Sequence, residues 1–237
     1  MLPRHLKRVK DSYARLGDGW VADQADPAAA RGILTALRES TPEEACSDVE
    51  ARLIQGKASA GAVWDAVHLA SIHAVTSASA LHYAFLAAPD PRIRFLLLLQ
   101  AAAWVCQFRK AAGDNLRPFA ITDLEPAEEA PIDKAIAETF AGIAKAPDIA
   151  AGRVFRLSQE PAGRQAFLAS ALRFTASRVS EVHYYEFLAA LLEDVPLVSA
   201  EWQPHVLASA VYYLKGPGDP EPVAMKRARD ALLALAS

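Results

Sequence analysis

Apolar residues recur along this chain at three- and four-residue spacing. Nowhere do they alternate with period two for long enough to make a strand. The pattern predicts an all-α fold, a single-domain bundle of about ten helices covering residues 1–237. Residues 2–16 read as an amphipathic helix ending at Gly17 and Gly19, and residues 27–38 as a second. Thr41-Pro42-Glu43-Glu44 is a start signal: Thr41 can cap, Pro42 suits the first helical position, and Glu44 completes a capping box. That helix is expected to stop at Gly56.

Residues 59–87 hold no proline, and no glycine after Gly61, which predicts a long central helix of about 43 Å if straight. The Thr76-Ser77-Ala78-Ser79 cluster could bend it, because small hydroxyls compete for backbone carbonyls. Ala88-Pro89-Asp90-Pro91 breaks the pattern. The next helix, 92–112, is apolar nearly all round and is expected to be central. Residues 114–130 are irregular and acidic (Asp123, Glu125, Glu128, Glu129), the best candidate for a linker or lid. Helices are then expected at 131–145, 148–158, 162–177, 180–194, 199–214 and 221–236, with a break at Gly216-Pro217-Gly218.

Composition narrows the function classes. Abundant alanine and only 11 glycines favour helix. Twenty-five basic against 28 acidic residues give a net charge of −3, which argues against nucleic acid as a partner. The basic N-terminus (Arg4, His5, Lys7, Arg8, Lys10) reads as a solvated helix face. Cys46 and Cys106 fit a reducing compartment better than a disulfide scaffold. No apolar run approaches the roughly 20 residues a bilayer requires, and no secretory signal opens the chain. The expectation is a cytoplasmic protein without a membrane partner, with a homo-oligomer left open. Nucleotide cradles, HExxH, CxxC, EF-hand and GxSxG motifs are all missing from the sequence.

Polar chemistry concentrates in two places. Taking Asp65 as zero on a helical wheel, His68 falls near about −60°, Thr76 near +20°, His73 near +80° and Tyr83 near 0°, while His82 falls near −100° on another face. A carboxylate, two imidazoles and two hydroxyls thus share one alanine-rich face, where Asp65, His68 and Tyr83 are candidate substrate contacts. The second cluster is Glu181, His183, Tyr184, Tyr185 and Glu186, with His183 and Glu186 three apart. Three readings follow: a satisfied hydrogen-bond network in a binding or scaffold protein, a pocket with histidine as general base, or a metal or haem centre drawing on His68, His73, His183 and a carboxylate such as Asp65 or Glu186. Trp64, Trp104 and Trp202 read first as core.

Ile72-His73-Ala74-Val75-Thr76 with Ser79-Ala80-Leu81, the run Leu99-Gln100-Ala101-Ala102-Ala103-Trp104, and Val182-His183-Tyr184-Tyr185-Glu186-Phe187 with Ala190 and Leu192-Glu193-Asp194 together resemble the questin oxidase-like family. The resemblance covers about 60 residues in two blocks. It implies a helical monooxygenase that cleaves a ring of an anthraquinone-like, polyketide-derived aromatic in a Baeyer–Villiger manner, with reduced nicotinamide (NADPH) as electron source. It would make His73 or His183 the base on a phenolic hydroxyl and Thr76 the group orienting the ring oxygen; Trp104 is a candidate substrate contact alongside Asp65, His68 and Tyr83. Glu186 stands where that family's pattern has a lysine. The chain is also short for the family, which implies that an N-terminal portion lies outside it.

Overall fold

The computed structural model describes residues 26–70, 75–113 and 121–235. The expected helix at 2–16, the candidate base His73 and the first part of the 114–130 loop lie outside the described residues. Those residues form eleven α-helices and no strand, so the all-α multi-helix fold stands. No described helix is long and apolar enough to cross a membrane. The chain groups into two compact units. Unit 1 comprises residues 1–118 with 197–202, and unit 2 comprises 119–196 with 203–237.

Unit 1 begins with α1 (Pro27–Glu39), where the Asp26 carboxylate accepts from the N–H groups of Ala28 and Ala29 and Pro27 occupies the first turn. Its buried stripe, Ala30, Ile33, Leu34 and Leu37, keeps the three-to-four spacing. The capping box at Thr41 and Glu44 opens α2 (Pro42–Ile54) as expected. The expected long helix 59–87 is corrected to two arms, α3 (Ala60–Ala70) and α4 (Val75–Ala87). His68 and His82 are 14 residues apart, which would separate them by about 21 Å on one straight helix. Their ring nitrogens lie 2.9 Å apart, so the chain folds back between the arms.

Helix α5 (Pro91–Ala112) follows, capped by Asp90. Phe95, Leu98, Leu99, Ala102 and Val105 form its buried face. It packs against α2 and α4, and the Arg109 guanidinium ties its end to the carbonyls of Leu37 and Ser40. Burial all round, expected from its composition, does not hold: Ile93 is 47% and Leu96 37% exposed.

Unit 2 holds α6 (Ile132–Gly142), α7 (Pro147–Leu157), α8 (Pro161–Arg178), α9 (Val182–Asp194), α10 (Gln203–Ala210) and α11 (Val223–Leu235). Phe140 and Phe167 stack at 5.8 Å in its core, with Phe174 4.8 Å from Phe140. Gly163 lies so close to the Leu157 carbonyl that a Cβ there would stand 2.0 Å from it, so only glycine allows the α7–α8 turn. The acidic segment 124–131 is irregular, as expected, and is pinned to α7: Ala127 N–H donates to the Gly152 carbonyl at 3.1 Å, and Glu129 pairs with Arg156 at 2.8 Å. The helix expected at 199–214 shortens to α10, because Leu197–Trp202 is drawn into unit 1.

Candidate functional site

Helix α3 is the most enclosed element of unit 1: nine of its eleven residues are buried. It therefore carries two ionisable groups, Asp65 and His68, out of water. Desolvation disfavours whichever form is charged, so each needs a partner or must stay neutral.

Asp65, 2% exposed, finds its partner on the returning segment. One carboxylate oxygen accepts the Ser199 backbone N–H at 3.0 Å and the other accepts the Ser199 hydroxyl at 2.9 Å. Burial pushes the carboxyl pKa up, and the two bonds from Ser199 oppose that rise.

His68 meets His82. Nε2 of His68 and Nδ1 of His82 are 2.9 Å apart, and both rings are buried. One ring's N–H donates to the other's bare nitrogen, which requires the accepting imidazole to be neutral. The electrostatics agree. Burial, with the His82 imidazole alongside, pushes His68 down to about 3, and burial pushes His82 down to about 4. Aromatic rings complete the enclosure. Trp64 stacks on His82 with centroids 4.3 Å apart, and Phe85 stands edge-on to Trp64 at 5.4 Å. Trp64 is 3% exposed, and its indole Nε1 has no hydrogen-bond partner among the described residues. A buried donor left unmatched costs about 1–3 kcal/mol, so an acceptor beside this cluster would be favourable.

The other expected site residues are dispersed. Thr76 and Tyr83 are on α4, but both are exposed, Tyr83 by 73%. Trp104 is half-buried on α5, with its indole Nε1 enclosed and without a hydrogen-bond partner among the described residues. His183 belongs to unit 2, where its side chain is 85% exposed and its Nδ1 lies 3.2 Å from Glu186 Oε2. Nearby aromatics there do structural work: Tyr185 donates its hydroxyl to the Val179 carbonyl at 2.8 Å, and Phe187 packs on Tyr213. Among the described residues of the metal set expected from the sequence, then, only His68 is found in a buried ligand-like pair, and its partner is His82. The wheel placed His82 on another face because it assumed one continuous helix. The signal that could have found it is the pairing of Trp64 with His68 four apart and His82 with Phe85 three apart, which gives each arm an aromatic–imidazole face.

Two concave surfaces lie within single units. A groove of about 710 Å³ runs between α2 and α5 of unit 1. A cleft of about 520 Å³ in unit 2 is edged by the 127–130 segment, α6 and α7, and crossed by the Arg153–Glu138 and Arg156–Glu129 ion pairs. No family model matches the chain, and no curated protein or solved structure matches it.

Proposed function

We propose that this chain is a metal-binding helical protein, with a transition-metal ion held by His68 Nε2 and His82 Nδ1. The observation that carries the reading is the approach of two buried imidazole nitrogens to 2.9 Å inside an aromatic enclosure. An ion bound by both nitrogens at the usual zinc distance of about 2.0–2.1 Å would set them roughly 3.3 Å apart. The rings need part by only about 0.4 Å to replace a shared proton with a cation.

Chemistry favours ligation over proton transfer at this pair. Metal ligation uses the neutral imidazole, the form that burial enforces. A general base works best with a pKa near the operating pH, and these two stand well below it. Imidazole nitrogen suits zinc, copper, nickel and iron. The unmatched Trp64 N–H is suited to an anionic or oxygen ligand completing the coordination. Oxygenase-type turnover of a flat aromatic, the activity implied by the family resemblance, is the reaction to screen once the metal-loaded protein is in hand.

The test is titration of chelator-treated protein with Co²⁺ and Zn²⁺, followed by visible absorption and calorimetry. One equivalent should bind, with ligand-field bands, and binding should vanish in His68→Phe and His82→Phe while surviving His183→Ala. Equal binding by wild type and the His68→Phe/His82→Phe double variant would sink the proposal.

A further inference from the structure

Charge, a spare donor and limited space together narrow what an ion at the His68–His82 pair would carry. Burial holds both imidazoles neutral, so neither offsets the charge of a divalent ion. Asp65, three residues before His68 on α3, has both carboxylate oxygens engaged by Ser199. Charge out of water is costly until it is matched, which favours a negative ligand. Zinc ordinarily takes four ligands, and His68 and His82 supply two.

The spare donor is Trp64, one turn before His68 on α3. Its ring lies almost parallel to that of His82, at 13°, with centroids 4.3 Å apart, and its centroid is 6.1 Å from that of His68. The indole therefore borders the ligand ring of each arm. Its Nε1–H is enclosed and has no acceptor among the described residues. Indole nitrogen only donates, so its partner must be an acceptor. Space sets the size of that partner. A flat ring slipped between two aromatic faces needs two contacts of about 3.5–4.0 Å each. Trp64 is already 4.3 Å from His82 and 5.4 Å from Phe85, which leaves room for a few atoms and not for a ring.

We infer, on the premise that this pair holds an ion, that the ion carries a small exchangeable monoanion and that Trp64 Nε1–H donates a hydrogen bond to it. The probe is azide, a compact monoanion, added to Co²⁺-loaded protein and followed by visible absorption. The ligand-field bands should shift saturably. Benzoate, with the same charge on a flat ring, should leave them unmoved. Measured on protein saturated with Co²⁺, Trp64→Phe keeps a ring, loses the donor and should bind azide at least about tenfold more weakly, the scale of one hydrogen bond to a charged group. A second readout needs no variant. In isotopically labelled, Zn²⁺-loaded protein the Trp64 indole N–H resonance, identified by its contact with the His82 ring, should move downfield as azide binds. Failure of the unaltered protein to bind Co²⁺ would remove the ion and this inference with it. Normal Co²⁺ binding with bands indifferent to azide, or with an unmoved Trp64 resonance, would overturn the inference alone and leave the metal site standing. So would equal azide affinity in Trp64→Phe, or benzoate binding as tightly as azide.

Discussion

His68 and His183 make an instructive pair. Each is a helical histidine with a carboxylate three residues away, Asp65 before one and Glu186 after the other. In unit 2 the pair behaves as spacing suggests: Glu186 turns to His183, in water, at 3.2 Å. In unit 1 it does not, because Asp65 gives both oxygens to Ser199, and His68 turns to an imidazole from the next arm. The difference is burial. Exposed, an imidazole–carboxylate contact is weak and replaceable by solvent. Enclosed, each polar atom must be matched, and long-range partners displace local ones. Sequence spacing alone makes the two sites equivalent; desolvation makes only one of them chemically distinctive.

Metal affinity should separate the two sites most widely. His82→Phe should weaken Co²⁺ binding by at least about 100-fold, the upper end of what losing even an outer-shell partner costs, and His183→Ala should leave it within about twofold; equal losses would erase the contrast. Acid stability comes next. In chelated protein the unfolded histidines titrate near 6.5, while folded His68 and His82 hold out to about 3 and about 4. The unfolded chain therefore takes up protons first, and folding loses stability as pH falls from about 6.5 through about 4, by a few kcal/mol. Urea unfolding at stepped pH should show this slope flattened in His68→Phe and preserved in His183→Ala. Asp65 has the opposite sign: its raised carboxyl favours the folded state below its ordinary value of 3.8, so it cannot mimic the histidine slope.

Smaller effects sharpen the same contrast. His68→Ala at neutral pH should cost about 2–4 kcal/mol through the cavity and the unmatched His82 nitrogen, whereas His183→Ala should stay within about 0.5 kcal/mol. Ser199→Ala removes one of the two bonds to the Asp65 carboxylate and should cost about 1–2 kcal/mol, read from the urea midpoint. A loss below about 0.3 kcal/mol would show that the backbone N–H alone satisfies Asp65.

Features built from local chemistry were legible in the sequence. The Thr41–Glu44 capping box, the proline-led starts of α1, α2, α5, α7 and α8 and the helical class all rest on interactions within four residues. The fold-back between α3 and α4 was not, since no proline or glycine marks it and an uninterrupted pattern reads as one helix. That single misreading assigned His82 to the wrong face and grouped Thr76 and Tyr83, both exposed, with the buried Asp65 and His68. The Asp65–Ser199 bonds span 134 positions, a distance over which no spacing rule operates.

That span has a consequence for synthesis. The ribosome delivers Asp65 long before Ser199, and at about 5–20 residues per second the interval is roughly 7–27 s. Throughout it, α3 is exposed as a nascent segment whose carboxylate lacks its eventual hydrogen-bond donors. Unit 1 can be finished only after most of unit 2 has emerged, because Leu197–Trp202 is its last piece. Translation that stalls ahead of residue 197 should therefore leave unit 1 open to proteolysis, although all five of its described helices would already be outside the tunnel.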